Sequence, residues 1–324
     1  MSDKLQTFET IKKAIDQAEE ILLIAHQKPD GDTLGANLAM ANWLRDIGKH
    51  FHFYCLHPVP QHLRYLPLWE HLLYTDEEII RIPFDLVIFI DSSSLSYSGV
   101  GHLLEKIKGE PIIINIDHHP TNPGFGKINL VEPTASSASE LVYQFFDSQQ
   151  IQITKDMATC ILTGILTDTG GFSNLGTTQS SMEIAGKLLG LGAKFRTITN
   201  FTVRNKTVNT LKLWGRALDR LTRHADGVVS TVLTQTDLTE CEATDEDLEG
   251  ISNFLNALQD AKIIMVLKED SSGFVKVSLR TTHEDVDVSE LAQKFGGGGH
   301  KKAAGFSVPG KLIHTPTGWR IESV

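Results

Sequence analysis

The sequence predicts an α/β protein: a mostly parallel sheet flanked by helices in the N-terminal part, then a smaller α/β unit. Two observations lead there. Short, continuous apolar runs (ILLIA, DLVIFI, PIIINI) alternate with segments of helical periodicity in the first half, and such runs suit strands buried on both faces of a parallel sheet. After a stretch of helical pattern the alternation restarts near Gly227 with a different spacing of strands, as expected of a second domain in a chain of 324 residues.

Element by element, the N-terminal MSDKLQTFETIKKAIDQAEE is polar with helical spacing and lacks the pattern of a signal peptide. Ile21–Ala25 reads as a strand, followed by the loop HQKPDGD and a helix over Thr33–Gly48 carrying Leu34, Leu38, Leu44 and Ile47. Phe51–Leu56, Asp85–Ile90 and Pro111–Ile116 are further strands; Ser136–Ser148, Asp156–Leu166 and Ser180–Leu191 are helices. From Lys194 strands disappear, and Thr207–Arg223 spaces Leu211, Trp214, Leu218 and Leu221 as a helix does. The second unit runs strand (Val228–Thr234), helix (Asp245–Leu258), strand (Lys262–Leu267), hairpin, strand (Phe274–Arg280), helix (Val288–Phe295), glycine run, and a last strand near Gly305–Val308. The expected domains are therefore residues 1–195, a helical linker over 196–226, and residues 227–324.

Composition narrows the function classes. A formal net charge of −10 opposes binding of long duplex nucleic acid, which depends on neutralising phosphates with Lys and Arg. A short phosphorylated ligand remains open if metals supply positive charge. The three cysteines, Cys55, Cys160 and Cys241, are few and widely spaced, so neither a disulfide framework nor a Cys-rich zinc site is expected. No apolar run approaches the roughly 20 residues of a membrane span, and the cytoplasm is the default compartment.

Four segments at the C-terminal ends of predicted elements, where open α/β sheets place ligands, carry the chemistry. His26-Gln-Lys-Pro-Asp30-Gly-Asp32 follows the first strand, with Pro29 and Gly31 keeping it non-helical; Asp32 could also be merely the cap of the next helix. Asp91 ends DLVIFID, where, taken alone, a cap or turn-forming role is favoured over a ligand role. Asp117-His118-His119 ends PIIINI; neighbouring side chains diverge, so one histidine is expected to bind a metal and the other to meet substrate, with Asp117 orienting a histidine. Asp168 closes an apolar helix, where burial and the negative helix end both call for a cation. Imidazole mixed with carboxylate suits borderline ions such as Mn²⁺. Six such residues exceed what one cation takes, whereas two cations sharing a carboxylate would use them, as in two-metal phosphoryl displacement. Four consecutive glycines, Gly296 to Gly299, then His300, Lys301 and Lys302, would let backbone N–H groups approach a phosphate.

His-x-x-x-Asp-x-Asp, a lone strand-end Asp, Asp-His-His and a later Asp-Thr-Gly resemble the DHH phosphoesterase superfamily, and SLR at 278–280 with FGGGGHKKAAG at 295–305 resembles its companion DHHA1 domain. The resemblance covers nearly the whole chain. It implies a two-lobed enzyme with two manganese ions: one held by His26, Asp30 and Asp91, the other by Asp32, Asp91, His118 and Asp168, with Asp91 bridging. It further implies that His119 contacts the scissile phosphate and serves as acid, with Asp117 beside it. Arg280, Gly297, Gly298, Gly299 and His300 would hold the far part of the substrate. Within the superfamily the short architecture resembles the nanoRNases that degrade very short oligoribonucleotides and dephosphorylate phosphoadenosine phosphate (pAp). Cyclic-di-AMP and linear-dinucleotide phosphodiesterases look alike at this level; inorganic polyphosphate hydrolysis fits the metals but not the second lobe. A metal-bound nucleotide sensor without turnover is the reading from another class, and intact ligands and His119 speak against it. Tyr97 stands where the family often has Arg, and Thr281 where it commonly has Ser. Short oligoribonucleotides or small phosphorylated nucleotides are the expected partners, not a membrane or a long duplex. A homodimer is one assembly the sequence leaves open.

Overall fold

A computed structural model describes residues 2–202, 206–316 and 318–322. The chain forms two compact units, one up to residue 205 and the other from 206 on, so the stretch 196–226 contributes a helix to each.

The first unit contains α1 (Ser2–Gln17), β1 (Glu20–Ile24), α2 (Gly31–Asp46), β2 (His50–Tyr54), β3 (Leu72–Leu73), α3 (Asp76–Ile79), β4 (Leu86–Ile90), α4 (Leu95–Ser98), α5 (Gly101–Leu104), β5 (Ile112–Asp117), β6 (Ile128–Val131), α6 (Ala138–Ser148), α7 (Lys155–Asp168), α8 (Gln179–Gly190) and α9 (Phe195–Thr202). Its sheet has the order β3-β2-β1-β4-β5-β6, and every adjacent pair is parallel. All five residues of β4, LVIFI, are buried, because packing covers both faces: Ile88 and Ile90 join one apolar cluster, Val87 and Phe89 the other. The reversal of strand order between β1 and β4 opens a crevice at their C-terminal ends.

The helix lining that crevice is α2, buried at every residue from Gly31 to Leu44. It sits close to α7 because small residues face each other. A Cβ on Gly35 would lie 2.5 Å from the Cys160 carbonyl oxygen and 3.0 Å from the Gly164 nitrogen, and one on Gly31 would overlap the Thr167 side chain. Thr33 Oγ1 and Asn37 Nδ2 of α2 also donate to the Ile90 carbonyl, at 3.2 and 3.3 Å. The start of α2, the end of β4 and the end of α7 are thus held to one another.

The second unit contains α10 (Val208–Asp219), β7 (Thr222–Arg223), β8 (Val228–Leu233), α11 (Gln235–Glu240), α12 (Ile251–Leu255), β9 (Ile263–Glu269), β10 (Phe274–Arg280), α13 (Val288–Gln293), β11 (Gly298–His300), β12 (Ala303–Pro309), β13 (Lys311–Thr315) and β14 (Gly318–Glu322). The order of its main sheet is β11-β12-β10-β9-β8-β7, antiparallel except for the β8–β9 pair. Strand alternation feeds two apolar clusters, one containing Ile264 and Val266, the other Val275, Val277 and Leu279.

Several expected elements change. The helix expected over Asp245–Leu258 is a 3-10 turn at Asp245–Leu248 and only then α12, because Gly250 takes φ +87° between them, a conformation that ends helical hydrogen bonding. The helix expected over Thr207–Arg223 stops at Asp219, and Thr222–Arg223 pair with β8 instead. Edge strand β6 and the β13–β14 hairpin, partly exposed, lack the continuous apolar runs that betray central strands. All three cysteines are free and buried. No helix among the described residues is long and apolar enough to cross a membrane.

Replacing Gly35 by Ala should lower stability by about 1–2 kcal/mol, since overpacking against backbone costs roughly 1–3 kcal/mol and Ala returns only about 1 kcal/mol of helix propensity. Gly186→Ala in α8, where a Cβ would meet nothing within 4 Å, should instead raise stability by about 0.5–1 kcal/mol. Urea denaturation of the two variants checks the opposite signs.

Candidate metal centre

The loop after β1 and the first turn of α2 carry three of the site residues. Asp30 is the N-cap of α2: its Oδ1 accepts from the Asp32 and Thr33 backbone nitrogens, both at 3.0 Å. Its other oxygen lies 3.6 Å from His26 Nε2. Capping is therefore the work of Asp30, not of Asp32 as the sequence allowed. Asp32 points away, toward the start of α6, where Oδ2 accepts from Ala138 N at 2.6 Å and Oδ1 from Ser139 N at 2.9 Å. A helix N-terminus favours such a carboxylate. Gly164 of α7 keeps this approach open, since a Cβ there would overlap Ser139 Oγ and lie 2.6 Å from Asp32 Oδ1.

Asp91 follows β4 with φ +63°, a left-handed conformation that Asp tolerates better than most residues. Its N–H still donates to Ile116 O at 2.9 Å, so the turn out of the sheet happens at this residue. The carboxylate stands between two imidazoles: Oδ2 is 3.6 Å from His26 Nε2 and Oδ1 is 3.7 Å from His118 Nε2. Asp91 is 3% exposed, and its Oδ1 accepts no hydrogen bond among the described residues.

Asp117 ends β5, and its two histidines take different hydrogen-bond partners, although both approach Asp91 Oδ1, His118 through Nε2 at 3.7 Å and His119 through Nδ1 at 3.6 Å. His118 aims Nε2 at Asp168 (3.5 Å), Asp91 (3.7 Å) and Asp32 (3.9 Å), while its Nδ1 faces the Ala135 carbonyl at 3.3 Å. His119 instead turns Nδ1 to Asp117 Oδ1, at 2.7 Å. Asp168 is the last residue of α7, with its side chain about one third exposed, so it is less buried than its apolar surroundings in the sequence suggest. All six expected ligand residues of the first unit converge. His26, Asp30 and Asp91 form one group with donor atoms within 4.8 Å of one another; Asp32, His118 and Asp168 form another.

Electrostatics mark the same place. Burial, followed by the charges of Asp32, Asp30, Asp117 and Asp168, pushes the Asp91 carboxyl well above the ordinary carboxylate range. Burial and then Asp32, Asp30 and Asp117 do the same to Asp168. Burial also raises Asp32, against the pull of His118 and the Ser139 donors, and lowers His118. His119 goes the other way: burial opposes its charge, but the hydrogen bond and charge of Asp117 prevail. Converging carboxyls with an unpartnered buried oxygen and imidazole nitrogens among them are the donor set that a borderline divalent cation takes, so the residues fit the metal that the fold family implies.

In the second unit, Arg280 ends β10, with Nε donating to Asn253 Oδ1 at 3.1 Å and Nη1 to Leu279 O at 3.0 Å. Thr281 is buried and donates its hydroxyl to Lys262 O at 2.7 Å, a bond that Ser could make equally. The glycine run divides. A Cβ on Gly297 would overlap the Gly305 carbonyl, and one on Gly299 would lie 2.5 Å from Ala303 O; Gly298 has open space. Gly298–His300 is the edge strand paired with β12 rather than a loop. Close packing therefore accounts for Gly297 and Gly299, whereas Gly296 and Gly298 have open space around them.

Residues 20–165 match the DHH family, N-terminal domain, and residues 225–314 match the DHHA1 domain. Over 95% of its length the chain is 30% identical to a bifunctional oligoribonuclease and PAP phosphatase NrnA of Thermus thermophilus, 89% of which is covered. The chain belongs to the DHH family. It is also 25% identical to a cyclic-di-AMP phosphodiesterase PdeA of Listeria monocytogenes over 90% of the chain and 45% of that protein. The crystal structure of an exopolyphosphatase-related protein from Bacteroides fragilis superimposes with a TM-score of 0.86 at 25% identity, covering 94% of this chain and 92% of that one.

Two DHH-unit residues at the site were not assigned from sequence. Asn122 donates through Nδ2 to Asp117 Oδ2 at 2.6 Å and to Ser92 O at 3.1 Å, and exchanges hydrogen bonds with Asn115. It clamps the aspartate that holds His119. Nothing in the sequence marks Asn122, since its partners come from two separate segments, the end of β5 and the turn after β4. Tyr97, noted only as a departure, places its ring 5.1 Å from that of His26 and 6.3 Å from that of His119. Asn122→Ala should reduce turnover roughly 10- to 100-fold, as loss of an outer orienting partner does, while bound metal stays near the wild-type level. Steady-state kinetics paired with elemental analysis separates the two quantities.

Proposed function

We propose that the chain is a Mn²⁺-dependent phosphoesterase that binds two divalent ions and hydrolyses short oligoribonucleotides, pAp, or both. The observation that carries this reading is Asp91, whose two oxygens face two donor groups from opposite sides. His26, Asp30 and Asp91 would hold one ion, and Asp32, Asp91, His118 and Asp168 the other. Bound there, divalent cations supply the positive charge that a phosphate ester needs as negative charge builds on its oxygens.

The chain's own residues do the rest. Asp117 fixes the Nδ1 side of His119, and His119 would meet the scissile phosphate and give a proton to the departing oxygen. General acid catalysis of this kind typically contributes about 10²–10⁴-fold. Residues 1–195 would be the catalytic domain, 196–226 its helical linker, and 227–324 the substrate-binding domain, with Arg280, Gly298 and His300 on the distal part of the substrate and Gly297 and Gly299 shaping their strand. The coverage of the NrnA relative, 89% against 45% for the phosphodiesterase PdeA, supports oligoribonucleotides and pAp ahead of cyclic di-AMP, which is the second reading. The family's metal dependence and the mixed His and Asp donors support Mn²⁺ over Mg²⁺.

The test is parallel hydrolysis of a ribodinucleotide, pAp, cyclic di-AMP and pyrophosphate with added Mn²⁺. Turnover of the dinucleotide or pAp, abolished by chelation and restored by Mn²⁺, is the expected result; activity on pyrophosphate alone, or full activity after exhaustive chelation, overturns the reading. His118→Ala should lose bound metal, whereas His119→Ala should keep it and lose turnover by about 10²–10⁴-fold. Metal analysis of both variants checks this division, and equal metal loss would refute it.

A further inference from the structure

Histidines also gather at the opposite end of the first unit's sheet, away from the crevice. Strand β2 begins His50-Phe51-His52, and alternation sends neighbouring side chains to opposite faces. Phe51 and Phe53 pack with one apolar cluster and Tyr54 with the other, so His50 and His52 share the face of Tyr54. Register adds a carboxylate there, since Glu20, the first residue of β1, pairs with His50 across a parallel ladder. Strand β3 reaches only Phe53 and Tyr54, which leaves the start of β2 at the edge of the sheet.

Each Glu20 oxygen faces one imidazole: Oε1 is 3.5 Å from His50 Nδ1, and Oε2 is 3.6 Å from His52 Nε2. Those separations are long for hydrogen bonds. They fall in the range of the 3.5–3.9 Å between His118 Nε2 and the carboxylates around it. They also match the roughly 3.4 Å between neighbouring ligands of a tetrahedral ion bound at about 2.1 Å. Glu20 Oε2 is buried and accepts no hydrogen bond among the described residues, a costly state for a carboxylate oxygen. The His52 ring stands edge-on to that of buried Phe84, with centroids 5.5 Å apart. The His50 side chain is 78% exposed, so rotation about its own side-chain bonds can bring it in beside the other two. The neighbouring Lys49 turns its ammonium to the Asp16 and Ala18 carbonyls instead.

We infer that Glu20, His50 and His52 form a second metal site, separate from the crevice, that takes a borderline divalent cation, Zn²⁺ ahead of Mn²⁺ or Mg²⁺. Two imidazole nitrogens and one carboxylate oxygen are a three-ligand set that zinc accepts, with water in its fourth position. Imidazole suits zinc, whereas magnesium and manganese favour oxygen donors. The ion joins the first residues of β1 and β2, at the strand ends remote from His26, and gives the orphaned Glu20 oxygen its partner. An ordinary ion pair accounts for less: at these distances it contributes little near the surface, and it leaves Oε2 without a hydrogen bond. Glu20 and His50 are far apart in the chain, and only the strand register brings them together.

The experiment counts zinc bound to the full chain after equilibrium dialysis at micromolar free Zn²⁺, by elemental analysis, for wild type, His50→Gln, His52→Gln and Glu20→Gln. The crevice residues are the same in all four proteins, so a difference reports the outer site alone, whatever the crevice binds or hydrolyses. Each variant should hold one ion fewer than wild type while its far-ultraviolet circular dichroism stays unchanged. Equal zinc in wild type and any folded variant overturns the inference, and so does a difference that appears only at millimolar zinc. Should His52→Gln lose its fold along with the Phe84 contact, His50→Gln, at an exposed position, and Glu20→Gln, which keeps the side-chain shape, decide the matter by the same count.

Discussion

Asp32, Asp91 and Asp168 meet around the His118 imidazole with oxygens 3.5–3.9 Å from its Nε2, and like charge gathered at that spacing, in a place where Asp91 is almost fully buried, is the constraint to which the rest of the first unit answers. Burial and mutual repulsion both oppose ionisation there. Local structure places several of the site's aspartates. Asp30 caps α2, Asp32 accepts from the first N–H groups of α6, and Asp91 occupies a left-handed turn whose N–H still belongs to the sheet. These devices fix positions without neutralising charge, so the arrangement is poised for cations.

The helices explain how four remote segments reach one point. Asp32 begins α2 and Asp168 ends α7, and the two helices approach closely because Gly31, Gly35 and Gly164 leave no side chain in the way. The parallel sheet delivers His26, Asp91 and Asp117 at adjacent strand ends. Behind them Asn122 braces Asp117, and Asp117 braces His119. A site built on strand ends and helix termini gains precision from the stiffness of the elements beneath it.

The second unit uses a different economy of charge. Arg220 reaches both oxygens of the buried Asp237, so that this carboxylate, unlike those of the first unit, is neutralised by a side chain of its own fold.

The strands ending in His26, Asp91 and Asp117 were legible because their apolar runs are continuous, and a fully buried strand must look that way in sequence. The candidate ligand residues were legible because they sit where those runs stop. What the sequence could not express was pairing across distance. Edge strand β6, the β13–β14 hairpin and the break at Gly250 depend on neighbours and on one backbone angle rather than on periodicity. The roles of Asp30 and Asp32, cap and inward-facing carboxylate, were open in the sequence because both types suit either task; the position of the α6 N-terminus decided between them. The contacts of Asn122 and Tyr97 became visible only when strand ends and loops brought their partners together. By itself, then, the sequence determined the fold class and which residues are candidates for a metal centre, through local pattern. Tertiary structure alone decided which atoms face one another, because side-chain convergence is set by strand register and helix approach, and neither is written in local pattern.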